Sequence, residues 1–327
     1  MGVQAAFSRP LAKFRTFLFP LAAAAVMGLL GGQASAADKL RIANFGPLNS
    51  ESVAVAIALD KGLYKEAGID AELITFKGGA PAIQALASES VDVAIGSPEH
   101  VIRLTNRGRH AHILVPMSNV TSYVLFGAKD SAIDGVKGLK GKTVGITTPG
   151  SKTDVLVRLA LQRAGLNPDT DAKIVGVGNS ANNLAAITAG RVDAGMVSGV
   201  EVVLAEQKFS IVHDWRTSRT ASIALMALDS WTKENPDLAR RFTKATLEAA
   251  KLAKTDKAVG QEALIKLYPN IDADLLRANS DKLLSSLVTS PRFTEDEFKA
   301  VQEDILTFEK DLKPISYDDF NPDFLAQ

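Results

Sequence analysis

From Leu40 onward, short apolar runs rich in β-branched residues alternate with longer segments whose apolar residues recur every three or four positions. That alternation predicts a mostly parallel sheet covered by helices. "KLRIANF" reads as a strand, "SESVAVAIALDKGLYKEAG" as a helical stretch ended by Gly68, and "DAELITF" as a strand. "APAIQALASE" follows as helix, "VDVAIG" as strand, "PEHVIRLTNRG" as helix and "HILVPMS" as strand. A second series runs "KTVGITT", "KTDVLVRLALQRAG", "AKIVGV", "ANNLAAITAG", "VDAGMVS", "EVVLAEQ" and "FSIVHD", again alternating strand and helix. Between the series lies "TSYVLFGAKDS", and after the second lies "TASIALMAL". Both are extended apolar runs without helical periodicity, read as crossings between two lobes.

The second series copies the first. "SESVDVAIGSPE" at 88–99 returns as "AGRVDAGMVSGVE" at 189–201. Upstream, Ala67-Gly68 matches Ala164-Gly165, Ile83 matches Leu184 and Leu86 matches Ile187. Val91-Asp92 then matches Val192-Asp193, and Ser97 matches Ser198. Two copies are too few for a stacked solenoid, and 327 residues exceed one ordinary core. Two similar α/β lobes satisfy both facts. Beyond Asp229 the pattern is helical with one apolar face. Asn235-Pro236 suits an N-cap and first turn ahead of Leu238, Phe242, Ala245, Ala249 and Leu252. Thr294 and Glu297 form a capping box ahead of Phe298, Val301, Ile305, Phe308 and Leu312. These helices must cover something, and they are expected to pack back on the first lobe.

The first 36 residues break the pattern. Arg9, Lys13 and Arg15 precede the apolar run Leu21 to Leu30, and small residues stand at Ala34 and Ala36. That order predicts a secretory signal peptide cleaved after Ala36; a membrane anchor would need roughly 20 apolar residues. The expected division is therefore 1–36 leader, 37–122 first part of lobe 1, 123–224 lobe 2, and 225–327 return to lobe 1. Removing the three basic leader residues from 37 leaves 34 basic against 37 acidic, so the balance excludes a nucleic-acid footprint. The densest basic stretch, "RLTNRGRHAH" at 103–112, reads as a solvated helix end and loop. The sequence has no cysteine, which removes thiol nucleophiles, cysteine metal sites and the lipidation point of a bacterial lipoprotein. A released protein of a Gram-negative periplasm is expected.

Candidate chemistry lies in the strand-to-helix turns, which are built from small polar residues: "NFGPLNS", "KGGAP", "GSPE", "TTPGSKT", "GNSAN" and "VSGVE". All fall at strand C-termini, the edge where open α/β sheets bind ligands and where helix starts present free N–H groups. The competing reading is ordinary capping, by Ser97 before Pro98 and by Ser151 three residues before Asp154. "GVGNSA", Gly176 to Ala181, fits a dinucleotide fingerprint loosely. Its repeat partner "TFKGGA" lacks the first glycine, so that reading is set aside. His110 and His112 are spaced to share a strand face, yet without neighbouring carboxylates they read as a solvated strand start rather than metal ligands. No G-x-S-x-G elbow and no H-E-x-x-H occurs.

Together, those turns, the doubled unit and the "ENPDLARRF" helix resemble the periplasmic substrate-binding proteins of ABC importers, in the branch serving nitrate, sulfonates, taurine and thiamine-pyrimidine precursors. The resemblance spans about Leu40 to Phe324, and "KGLYKEAGIDAELITFKGG" and "LKGKTVGITTPGS" look like that family's phrases. It implies a type II periplasmic-binding-protein fold: two α/β lobes, two hinge crossings and a cleft between them. It also implies a monomeric, non-enzymatic protein without cofactor or metal, which binds a small anionic solute and transiently meets a membrane permease. By the same resemblance one cleft wall is Asn44, Phe45, Gly78, Gly79 and Ser97, and the other is Thr148, Ser151, Thr153, Asn179 and Ser198. Lys77 and Lys152 stand beside these turns. Arg216 and Arg219 are candidates for a carboxylate and Glu201 for an amine, with surface placement as the competing reading for all three. Many relatives carry an aromatic or Pro-Trp element in the first loop and an aromatic after the position of Ser198. This chain has "NFGPLN" and "SGVE", which leaves the solute open. Two alternatives share the fold: a thiamine-pyrimidine synthase, which needs cysteines that this chain lacks, and a sensor that delivers its ligand-bound form to a membrane receptor.

Overall fold

A computed structural model describes residues 37–217 and 219–325; the expected signal peptide lies outside them. The first series forms β1 (Asp38–Asn44), α1 (Val53–Asp60), α2 (Leu63–Glu66), β2 (Ile69–Thr75), α3 (Gly79–Ala87), β3 (Val93–Gly96), α4 (Glu99–Asn106) and β4 (Ala111–Val120). The second forms β5 (Val124–Ala128), β6 (Thr143–Ile146), α5 (Lys152–Arg163), β7 (Lys173–Gly176), α6 (Ser180–Thr188), β8 (Ala194–Val197), α7 (Val200–Ala205) and β9 (Phe209–Asp214). After β10 (Arg219–Leu228) come α8 (Asp229–Glu234), α9 (Pro236–Thr255), α10 (Lys257–Leu267), α11 (Ala273–Leu284), α12 (Glu295–Phe308) and α13 (Tyr317–Phe320).

Two five-stranded sheets result, ordered β2-β1-β3-β10-β4 and β7-β6-β8-β5-β9. In each, the first three strands are parallel and the fourth is antiparallel to both its neighbours. The doubled phrase of the sequence has a physical counterpart. Asp92 Oδ2 accepts the Arg41 backbone N–H at 2.7 Å, and Asp193 Oδ2 accepts the Thr143 N–H at 2.8 Å, so each copy pins the equivalent strand, β1 or β6, of its own sheet.

β10 shows why the first sheet must be covered on both sides. Ile223, Leu225 and Ala227 enter one core, while Ala224, Met226 and Leu228 enter another on the opposite face; alternate strand side chains point to opposite faces. Phe242 of α9 fills the first core, stacked on Tyr64 at 5.2 Å, and Phe298, Val301 and Ile305 of α12 fill the second. The return helices therefore cover both faces of the first sheet.

Three local expectations change. The run 220–228, read as a crossing, is wholly a strand of the first sheet, so the boundary expected at 224/225 falls inside β10; the chain instead crosses at 121–123 and between Asp214 and Arg219. Asn235 and Pro236 take the expected N-cap and first-turn positions of α9, but the Asn235 side chain makes no capping bond and turns back to donate to the Trp231 carbonyl at 3.0 Å. His112 is buried rather than solvated, held by the Thr232 hydroxyl at 3.1 Å and by the Phe324 ring at 4.8 Å. The capping box of Thr294 and Glu297 forms as its spacing predicts.

Candidate functional site

The C-terminal strand ends of the two sheets face each other across a cleft whose walls touch. A Cβ on Gly78 of the first lobe would lie 2.9 Å from both Oγ1 and Cγ2 of Thr148 in the second. Arg103 Nη1 donates to the Gly150 carbonyl at 3.0 Å, Lys152 Nζ lies 3.6 Å from Glu99 Oε2, and Arg163 meets Asp304 at 2.5 Å; all three contacts join the lobes. Between the walls are a cavity of about 610 Å³ and, deeper, a void of about 40 Å³. Phe45, Gly78, Tyr123 and Thr147 border both spaces.

Seven of the ten expected wall residues reach these spaces. Gly79, Ser97 and Ser151 line the deep void, Asn179 and Ser198 line the larger cavity, and Phe45 and Gly78 line both. Asn44, Thr148 and Thr153 line neither. Asn44 is fully buried, accepting from the Phe45 N–H at 3.0 Å and donating to the Gly46 carbonyl, so it shapes the turn and does not face the cleft. Thr153 turns back to accept the Thr147 N–H at 3.0 Å. Thr148 faces Gly78, and its buried hydroxyl has no partner among the described residues. The capping reading fails for two serines. Ser97 donates to Glu99 instead of capping α4, and Ser151 joins a hydroxyl triangle with Thr147 and Thr153 at 2.8–2.9 Å. Asn179 does cap α6, accepting from the Asn182 N–H at 2.9 Å.

The deep void also draws in groups that the wall list omits. Tyr123 arrives from the first crossing and His100 from the first turn of α4. Glu99, His100 and Arg103 fall within the first five residues of α4, a spacing visible in "PEHVIR" that marks a cluster of titratable groups. Lys152 begins α5 on the opposite wall and is 8% exposed. The larger cavity adds Lys77, Glu201 and Tyr268, whose hydroxyl accepts the Ser50 N–H at 3.0 Å. Arg216 pairs with Asp214 and Glu206, both at 2.6 Å, beside a separate cavity of about 410 Å³ on the hinge side. Arg219 is exposed at the start of β10.

Burial and charge set the protonation states. Burial pushes the Glu99 carboxyl up, but Lys152, His100, Arg103 and the Ser97 hydroxyl outweigh it and hold the group at about 2. Burial, reinforced by Arg103, lowers His100 to about 4, so its imidazole is neutral at pH 7. Glu51, buried beside the hinge-side cavity, is raised by burial to about 7 against the Ser122 hydroxyl, which donates to it at 2.9 Å, and Lys152. Burial likewise raises Glu201, opposed by its own backbone N–H. Lys152 at the deep void is thus already matched by Glu99 behind it, and His100 presents a neutral ring there.

The basic stretch at 103–112 is more buried than its composition suggests. Arg103 is 6% exposed and grips Glu309 of the return segment at 2.6 and 2.7 Å. Among the described residues no group of three or more histidine, cysteine or acidic side chains converges as metal ligands would.

A family model described as NMT1/THI5 like matches residues 49–258. A candidate binding protein of Brucella abortus strain 2308 is 27% identical over 227 residues, covering 62% of this chain and 68% of that protein. Among solved structures, a Bordetella bronchiseptica RB50 protein has a TM-score of 0.78 at 23% identity, over 88% of this chain and 96% of that one. The periplasmic aliphatic sulphonate binding protein of Escherichia coli has a TM-score of 0.67 at 20% identity, over 89% and 99%. The fold is that of the periplasmic binding proteins, as the sequence resemblance implied.

Proposed function

The chain belongs to the NMT1/THI5-like family, and from that premise we propose that it is the periplasmic solute-binding component of an ABC-type importer for a small organic anion. The observation that carries this reading is the deep void. The N-termini of α3 and α5, nine and twelve residues long, enter it from opposite lobes, and helix N-termini stabilise anions through free N–H groups and their dipoles. A compact anionic head, such as a sulfonate or carboxylate, fits a void of about 40 Å³. The adjoining 610 Å³, bordered by Phe45, Leu48, Tyr123 and Tyr268, suits an organic body that nitrate lacks.

Binding, not catalysis, is the task assigned here. Glu99 is engaged across the cleft by Lys152, and the Ser151 hydroxyl is engaged within its own turn by Thr147 and Thr153, so these groups are occupied in holding the walls in shape. The protein acts as a monomer that closes its lobes about the two crossings on the solute and presents that form to a membrane permease. The test is a melting screen of the mature protein against methanesulfonate, taurine, benzoate, acetate and nitrate. An anion at about 100 times its dissociation constant adds about 2.7 kcal/mol, or roughly 5–10 °C for a domain of this size. Stabilisation by nitrate alone, or by none of these compounds, would refute the proposal.

A further inference from the structure

We infer that His100 is a solute-binding donor, its Nε2–H directed into the deep void toward an acceptor atom of the bound molecule and fixed there by Arg103 when the lobes meet. The inference rests on the reading of the cleft as a solute site.

The tautomer follows from the neighbours. Arg103 Nη1 lies 3.4 Å from His100 Nδ1, and a guanidinium can only donate. Nδ1 therefore presents its lone pair, and a neutral ring must carry its proton on Nε2. That nitrogen is buried without a hydrogen-bond partner among the described residues. It lies 4.0 Å from where a Cβ of Gly79 would stand, at the edge of the void. A buried donor left unpaired is costly and calls for an acceptor. Arg103 is the positioning residue. Glu309 holds it from the first lobe, and the Gly150 carbonyl of the second lobe completes its contacts. Lobe approach thus finishes the alignment of the donor. The consequence is selectivity: a solute offering an oxygen acceptor satisfies His100, whereas one of the same shape offering an N–H there leaves two donors facing each other.

Two measurements test this on the full mature chain. Nitrogen-15 NMR of the imidazoles, with the His100 signals identified by their loss in His100→Gln, should show the proton on Nε2 and none on Nδ1. Calorimetric titration with methanesulfonate should show His100→Ala binding about tenfold or more weakly than the wild type. His100→Gln, whose amide N–H reaches a similar position, should stay within about threefold, with the ligand-free melting temperature of each variant as the control for folding. A proton on Nδ1, or a His100→Ala variant that binds as tightly as the wild type, would overturn the inference. If the wild type does not bind methanesulfonate, the titration uses the anion that stabilised the protein in the melting screen: an unchanged His100→Ala affinity for it overturns the inference, whereas no stabilising anion at all overturns the organic-anion reading instead.

Discussion

Gly78→Ala separates the cost of folding from the cost of closing. Gly78 has φ +113° and ψ 167°, a region open almost solely to glycine, where another residue costs about 1–3 kcal/mol. That strain is present whenever the turn is folded, so the ligand-free variant should melt about 2–12 °C lower. The added Cβ has a second effect. It would stand 2.9 Å from both Cγ2 and Oγ1 of Thr148, so turning the threonine only exchanges one clash for the other. This contact exists only while the lobes meet, and overpacking of this kind costs about 1–3 kcal/mol, a loss of about 5–150-fold in affinity. Calorimetry with a solute found in the melting screen reads the second term, and melting without solute reads the first. Adding Thr148→Ala should restore affinity and leave the melting temperature low. If Gly78→Ala binds as well as the wild type, or if Thr148→Ala does not rescue it, the wall contact described here is not the closed state.

Lys152→Met strips Glu99 of its partner across the cleft and should cost about 3–5 kcal/mol; the double variant with Glu99→Gln should lose less than Lys152→Met alone, as seen by urea unfolding and solute affinity. Glu51 has a folded pKa raised from 4.5 to about 7. Its contribution to stability is therefore fully present below pH 4.5 and is lost as pH rises through 7, about 3 kcal/mol in all at roughly 1.4 kcal/mol per pH unit. Glu51→Gln should flatten urea-unfolding stability between pH 5 and 7.5 and exceed the wild type at pH 8; parallel curves for the two proteins would refute the assignment. Asp193→Ala should cost about 1–3 kcal/mol by freeing the Thr143 N–H. Asp92→Ala should cost more, since Asp92 also receives the Arg41 guanidinium at 2.7 and 3.1 Å. Because the two sites lie in different sheets, the double variant should show additive losses.

The lobes were legible because the features that define them are local and repeated. The Val-Asp pair at 91–92 and 192–193 marks the same structural bond in both lobes, and the alternation of "KLRIANF" or "KTVGITT" is a period-two signal that needs no partner to be read. The cleft was legible only as loops. Phe45, Gly78 and Ser151 line it because strand ends of an α/β sheet open onto one edge. Asn44 and Thr153 do not, because one position along a strand or helix turns a side chain from the cleft into the backbone behind it. Tyr123 and Tyr268 were illegible for another reason: a crossing and a return helix bring them to the site from about 145 residues apart, a proximity that only the packed lobes create. Arg103 was read as solvated because its partner, Glu309, is remote in sequence.

The place of β10 between β3 and β4 governs the order in which the molecule can be built. The first sheet lacks its fourth strand until Leu228 has been synthesised, although most of its other residues precede Val120. A nascent chain that has completed the second series still carries β3 with an open edge and β4 with nothing beside it. Such edges invite pairing with other chains. The N-terminal half of this protein therefore cannot mature first and wait. The ribosome meets a chain whose earliest segments must stay unpaired until a late strand arrives, and a fragment ending near Asp214 would be an aggregation-prone intermediate and not half of a folded protein.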